Sequence, residues 1–133
     1  MNNQDVTIMS ESDVPLLLEF DDEIRIEVML DRVMGPIIIE EIKSRLPIEG
    51  RAAFLRGELK ITLGINRGNL KPTKEVKRGD IAYMPLGDSL CVYTEDMQTF
   101  SQVNVIGRVI SEDQIVKLQD IRRGSKAIIR SNE

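Results

Sequence analysis

The stretch GDIAYMPLGDSLCVYTED, Gly79 to Asp96, decides the fold. Two apolar runs, Ile81 to Met84 and Leu90 to Thr94, flank Pro85, Gly87 and Asp88. Short runs rich in β-branched and aromatic residues, bounded by turn formers, predict two strands joined by a tight connection. The connection has two readings. In one, Pro85, Gly87 and Asp88 build a turn, each for its backbone geometry. In the other, the loop rims a small pocket to which Tyr83, Cys91 and Asn104 bring polar contacts.

The same grammar extends in both directions along the chain. Upstream, Leu16 to Phe20 and Ile24 to Leu30 are strand-like runs around Asp21 and Asp22, with Ile24, Ile26 and Val28 alternating against Arg25 and Glu27 at a period of two. They predict a β-hairpin. The segment LDRVMGPIIIEEIKSRLP then predicts a helix, with Pro36 at its first position, Ile38, Ile42 and Leu46 along one face, and Pro47 as its stop. Arg51 to Leu55 and Glu58 to Ile65 read as strands around Gly57, and Asn66 to Arg78, polar and basic, as the longest loop. Downstream, Val103 to Ile110 predicts a strand. Glu112 to Gln119 predicts a short helix capped by Ser111, with Ile115 and Leu118 facing inward. Lys126 to Arg130 predicts a closing strand. Residues Met1 to Asp13 carry no apolar periodicity and are expected to form a flexible tail ahead of a single domain over residues 14–133.

About eight short strands with one or two helices cannot build a parallel α/β sheet, which needs a helix after nearly every strand. The expected architecture is therefore mainly β: a closed or nearly closed antiparallel barrel.

Composition narrows the chemistry further. The chain has 133 residues, 41% hydrophobic and 30% charged, with one cysteine and no histidine. A single thiol, Cys91, excludes an intramolecular disulfide and a multi-thiolate metal site. Without histidine there is no Ser/His/Asp or Cys/His pair, and no side chain whose unperturbed pKa lies near neutrality. Asp21, Asp22 and Glu23 lack the spacing of an EF-hand, so no metal site and no cofactor are expected. Cys91, in an apolar strand, reads as a buried small hydrophobe rather than a reactive thiol. No apolar run approaches the roughly 20 residues of a membrane span, and the acidic, polar start does not read as a signal peptide. A cytoplasmic location is expected.

A net charge of −4 argues against a nucleic-acid partner, since such binding rests on cations that neutralise phosphates. Two basic clusters exist, one over Arg67, Lys71, Lys74, Lys77 and Arg78, the other over Lys117, Arg122, Arg123, Lys126 and Arg130. With three Phe, two Tyr and no Trp, stacking platforms are scarce, and these clusters read as solvated loop charge.

GDIAYMPLGDSLCVYTE, followed by VNVIGRVISEDQIVKLQDI and SKAIIRS, resembles the short cyclophilin-like family of bacteria and archaea, small proteins whose function is generally unassigned. The resemblance covers Leu16 to Arg130. Its most specific parts are Gly79, Asp80, Tyr83, Pro85, Gly87, Leu90 and Cys91, together with the run Val103 to Gly107. The element order is also similar to that of true cyclophilins, the prolyl isomerases. The resemblance implies a cyclophilin-like barrel; fold alone does not carry activity.

Prolyl isomerisation needs no covalent chemistry. It needs an apolar pocket for the ring and a donor that favours the twisted amide over the planar one. By resemblance, Phe54, Leu55 and Arg56 correspond to the cyclophilin Phe-His-Arg strand, making Arg56 the candidate catalytic donor. Ser89, Leu90, Cys91 and Val92 correspond to a Ser-Gln-Phe-Phe strand from which the glutamine and the aromatics are missing, so the proline-binding wall is rebuilt or absent. Three readings follow. The first is a module that binds a proline-containing peptide or small ligand, with weak or no isomerase activity, through Phe54, Glu58, Tyr83, Pro85, Leu90, Cys91 and Asn104. The second is a genuine peptidyl-prolyl isomerase. The third is an enzyme acting on a small molecule, with Glu58 and Asp80 as acid/base groups. A monomer is favoured.

Overall fold

The first hairpin pairs β1 (Asp13–Phe20) with β2 (Ile24–Asp31) in a computed structural model that describes residues 10–68 and 71–133. The chain turns at Asp21 and Asp22, whose φ angles of 52° and 61° lie in the left-handed region that aspartate tolerates better than most residues. Asp21 Oδ1 also accepts the Lys126 amide at 2.9 Å, fastening this turn to the C-terminal strand. Leu16, Leu18 and Phe20 of β1, with Ile26, Val28 and Leu30 of β2, are buried on one face, as their period-two spacing predicts. Most of the expected tail lies outside the described residues. Of its last part, the Asp13 amide donates to the Ser10 carbonyl, and Asp13 opens β1.

Helix α1 (Pro36–Ser44) begins at its proline and buries Ile38, Ile39 and Ile42. Leu46, expected on the same stripe, lies beyond the helix and packs half-buried against the core. Six further strands take part in the main sheet: β3 (Ile48–Leu55), β4 (Glu58–Thr62), β6 (Asp80–Met84), β7 (Ser89–Tyr93), β8 (Met97–Val109) and β9 (Ser125–Ser131). Helix α2 (Glu112–Lys117), continued by a 3-10 turn at Leu118–Asp120, adds Ile115 and Leu118 to the core. Ser111 stands at its N-cap without a side-chain hydrogen bond.

The strands follow the order β2-β1-β9-β3-β4-β7-β6-β8, every neighbour antiparallel. The ring then closes on itself, because β2 pairs with β8 through Val28↔Val109, Met29↔Arg108 and Leu30↔Gly107. Closure removes the unpaired edges of an open sheet. It also requires glycine at position 107, where a Cβ would stand 2.3 Å from the Met29 carbonyl oxygen.

Two features depart from the sequence expectation. Inside the segment expected to be a loop lies β5 (Thr73–Val76), and β8 starts at Met97, well before Val103. The front of β8 pairs with β5, and this ribbon covers the outside of β6 and β7. Val76, Ala82, Met84, Cys91, Tyr93 and Val103 form an outer core there, separate from the inner core within the ring. Every residue of β6 and of β7 is consequently buried.

Candidate functional site

On the outer face of the ring, beside the ribbon, is a groove of about 690 Å³. Its position follows from the β3–β4 hairpin. Ala52, Leu59 and Ile61 turn into the inner core, which leaves the cross-strand pairs Ala53↔Lys60 and Leu55↔Glu58 on the outside. Phe54 borders the groove while packing against the inner core. Met97, Gln98, Thr99 and Phe100 of β8 form the opposite wall, and Arg123, just before β9, adds a second guanidinium.

Arg56 and Gly57 form the two-residue corner of this hairpin, with φ angles of +52° and +80°. Two consecutive left-handed residues are the signature of the turn that best matches strand twist. Arg56 thus sits on an exposed corner rather than within a strand, and among the described residues its side chain has no ion pair. Arg123 is likewise unpaired there. Glu58 is differently placed. Its carboxylate accepts a 2.7 Å hydrogen bond from the Tyr93 hydroxyl and lies 3.4 Å from Lys60 Nζ. Burial drives the Tyr93 phenol pKa strongly upward, and the neighbouring Cys91 and Glu58 add to this. It remains a neutral donor to Glu58 at any physiological pH.

The groove brings together Phe54, Arg56 and Glu58 from the expected site, and none of the others. Tyr83 is the cross-strand partner of both Leu90 and Asn104, on the inner face. The Asn104 side-chain oxygen accepts the Lys71 amide at 2.9 Å. Leu90 is fully buried, so no apolar groove joins Phe54 to Leu90. Cys91, one residue on, faces the outer core, and burial pushes its thiol up to about 12, with the Glu58 charge adding to the shift. Tyr83, Cys91 and Asn104 therefore do not converge on one pocket. Pro85 begins the turn closed by the Asp88 amide on the Pro85 carbonyl. Asp80 accepts the Lys77 amide and faces Arg108, and it shares no cavity with Glu58 among the described residues.

Met97 and Phe100 were not singled out from the sequence, and Arg123 figures there only in a basic cluster read as solvated charge. Phe100 carried a usable signal, an isolated aromatic in the polar run DMQTFSQ; Arg123 carried none, since it reads like any loop cation.

The family model described as cyclophilin-like matches residues 14–130. The chain belongs to the cyclophilin-like family. Among solved structures, that of the hypothetical protein AF2241 from Archaeoglobus fulgidus is similar, with a TM-score of 0.76 and 23% identity over 92% of this chain and 99% of that one. McbB in complex with tryptophan is similar with a TM-score of 0.73 and 14% identity over 88% of this chain, which spans only 44% of McbB. At these identities the likeness is one of fold. No curated protein matches the chain significantly. No described helix is long and apolar enough to cross a membrane.

Proposed function

We propose that this cyclophilin-like protein is a binding module whose outer groove receives an apolar side chain of a peptide or small ligand. The observation that carries this reading is the combination of apolar walls, from Ala53, Phe54, Leu55, Met97 and Phe100, with two guanidinium groups that have no ion pair among the described residues, in one concavity. Apolar surface with a few placed polar groups is the usual composition of a ligand site. That a fold neighbour was solved with tryptophan makes a free aromatic amino acid a reasonable probe. Work as a monomer is supported by ring closure, after which the short β5, carrying Lys74 and Glu75, ends the strand order among the described residues.

Isomerase activity is the second reading, favoured by one observation: Arg56 lines the same groove as Phe54. Both are tested by amide chemical shifts and exchange spectroscopy with a neutral X-Pro peptide and with tryptophan. Shifts confined to β3, β4 and the front of β8 would support the module. Accelerated cis/trans exchange that disappears in Arg56→Ala would make it an isomerase. Shifts elsewhere, or none, would overturn the groove as the site.

A further inference from the structure

Phe100 is 97% exposed, although it belongs to a strand. The register explains how it is presented. β5 pairs Thr73 with Val103 and Glu75 with Gln98, so residues 99–102 of β8 face only Lys74. The surplus chain bulges outward, and bulges re-aim the side chains they carry. Thr99, itself buried, pins the bulge by donating to the Ser101 carbonyl at 2.7 Å, with the Lys74 carbonyl at 3.3 Å. The aromatic ring is thus held out in water by an ordered device.

Phe100 also joins two concavities. One is the groove already described. The other, about 380 Å³, is lined by Lys74, Leu86, Phe100, Ser101 and Gln102, with Leu86 73% exposed. Phe100 is common to the lining of both, with Leu55 in the first and Leu86 in the second. Charge is distributed one way across them. Lys74, Arg56, Lys60 and Arg123 line the two concavities against the single carboxylate of Glu58, which Tyr93 and Lys60 already engage. This is a cationic surface on a chain of net charge −4.

We propose that the two concavities form one docking surface for an extended acidic peptide segment of a partner protein, whose apolar side chains pack on either side of Phe100 while its carboxylates meet Arg56, Arg123 and Lys74. The inference rests on the groove being a binding site and adds its occupant. Charge complementarity selects that occupant: a basic or neutral strand would leave the unpaired cations without partners. Two concavities that share Phe100 suit a chain that crosses both better than a compact molecule lodged in one.

The test is fluorescence polarisation with a labelled peptide of alternating glutamate and leucine, its lysine-for-glutamate counterpart, and a neutral X-Pro peptide. The acidic peptide should bind about tenfold or more tightly than the other two and weaken as salt rises. Arg56→Glu with Arg123→Glu should cost about tenfold. Lys74→Glu, whose residue lines only the second concavity, should weaken the acidic peptide several-fold more than it weakens the neutral one. Amide spectra of each variant establish that it is folded. Equal binding of acidic and lysine peptides, or no effect of Lys74→Glu, overturns the proposal while groove binding of the neutral peptide stands. If no peptide perturbs the groove, the binding-module reading falls with it. Concentration-dependent dimerisation abolished by Phe100→Ser would assign the surface to a second copy and overturn the proposal.

Discussion

The Tyr83 hydroxyl donates a 2.6 Å hydrogen bond to Asp88 Oδ1, tying β6 to the turn that follows it. The same carboxylate accepts the Gly64 amide at 2.7 Å, the Asn66 amide at 2.9 Å and the Ile65 amide at 3.2 Å, and the Tyr83 oxygen accepts the Arg67 amide at 3.0 Å. One aspartate therefore holds the chain leaving β4 against the β6–β7 turn. These bonds hold the loop at Pro85 to Asp88 in place, while its Leu86 lines the second concavity.

Asp88→Ala should destabilise the protein by about 2–4 kcal/mol, since several donors lose a charged acceptor at once. Asp88→Asn should cost less, because its amide oxygen still accepts and asparagine tolerates the φ of 50°. Urea unfolding of the two variants checks the order; equal losses would mean that the charge alone matters.

Burial, reinforced by the hydrogen bond to Asp88, raises the Tyr83 phenol from 10.0 to about 12. The neutral form is favoured in the native state, so this contribution is complete below pH 10 and is lost as pH rises towards 12. Tyr83→Phe should flatten the alkaline decline in stability over that window. An unchanged slope, read by denaturant unfolding at stepped pH, would contradict it.

Cys91 lies fully buried in the outer core, and its thiol is held protonated. A thiol reagent at neutral pH should modify the unfolded chain rapidly and the native one only as the structure opens. Immediate labelling of native protein would place Cys91 at the surface.

Gly107→Ala presses a methyl against the Met29 carbonyl and Leu30 at the ring's closing seam. A loss of about 1–3 kcal/mol is expected, as for overpacked interiors. Thermal unfolding should show it, with amides of Val28 to Leu30 losing exchange protection first.

Much of the ring was legible because its strands keep strict alternation, as Ile24, Ile26 and Val28 do, or run apolar without a break, as Ile81 to Met84 do. Turn residues marked the corners between them. β5 was not legible: of Thr73, Lys74, Glu75 and Val76 only Val76 is buried, so its strand character comes from pairing with β8 rather than from local preference. The candidate site suffered for the same reason. Cys91 falls on the opposite face from Tyr83 and Asn104, because a strand reverses its side chains at every residue. Arg123 reaches the groove only through the arrangement of the whole ring.

The outer core has a kinetic consequence. It is small, and the ribbon above it is held by β5 and a bulged stretch of β8, whereas the ring is continuous and closed. Cooperative units of such unequal size open at different free energies. The ribbon can therefore lift in sub-global fluctuations while the ring keeps its amides protected, and one wall of the groove belongs to the layer that lifts.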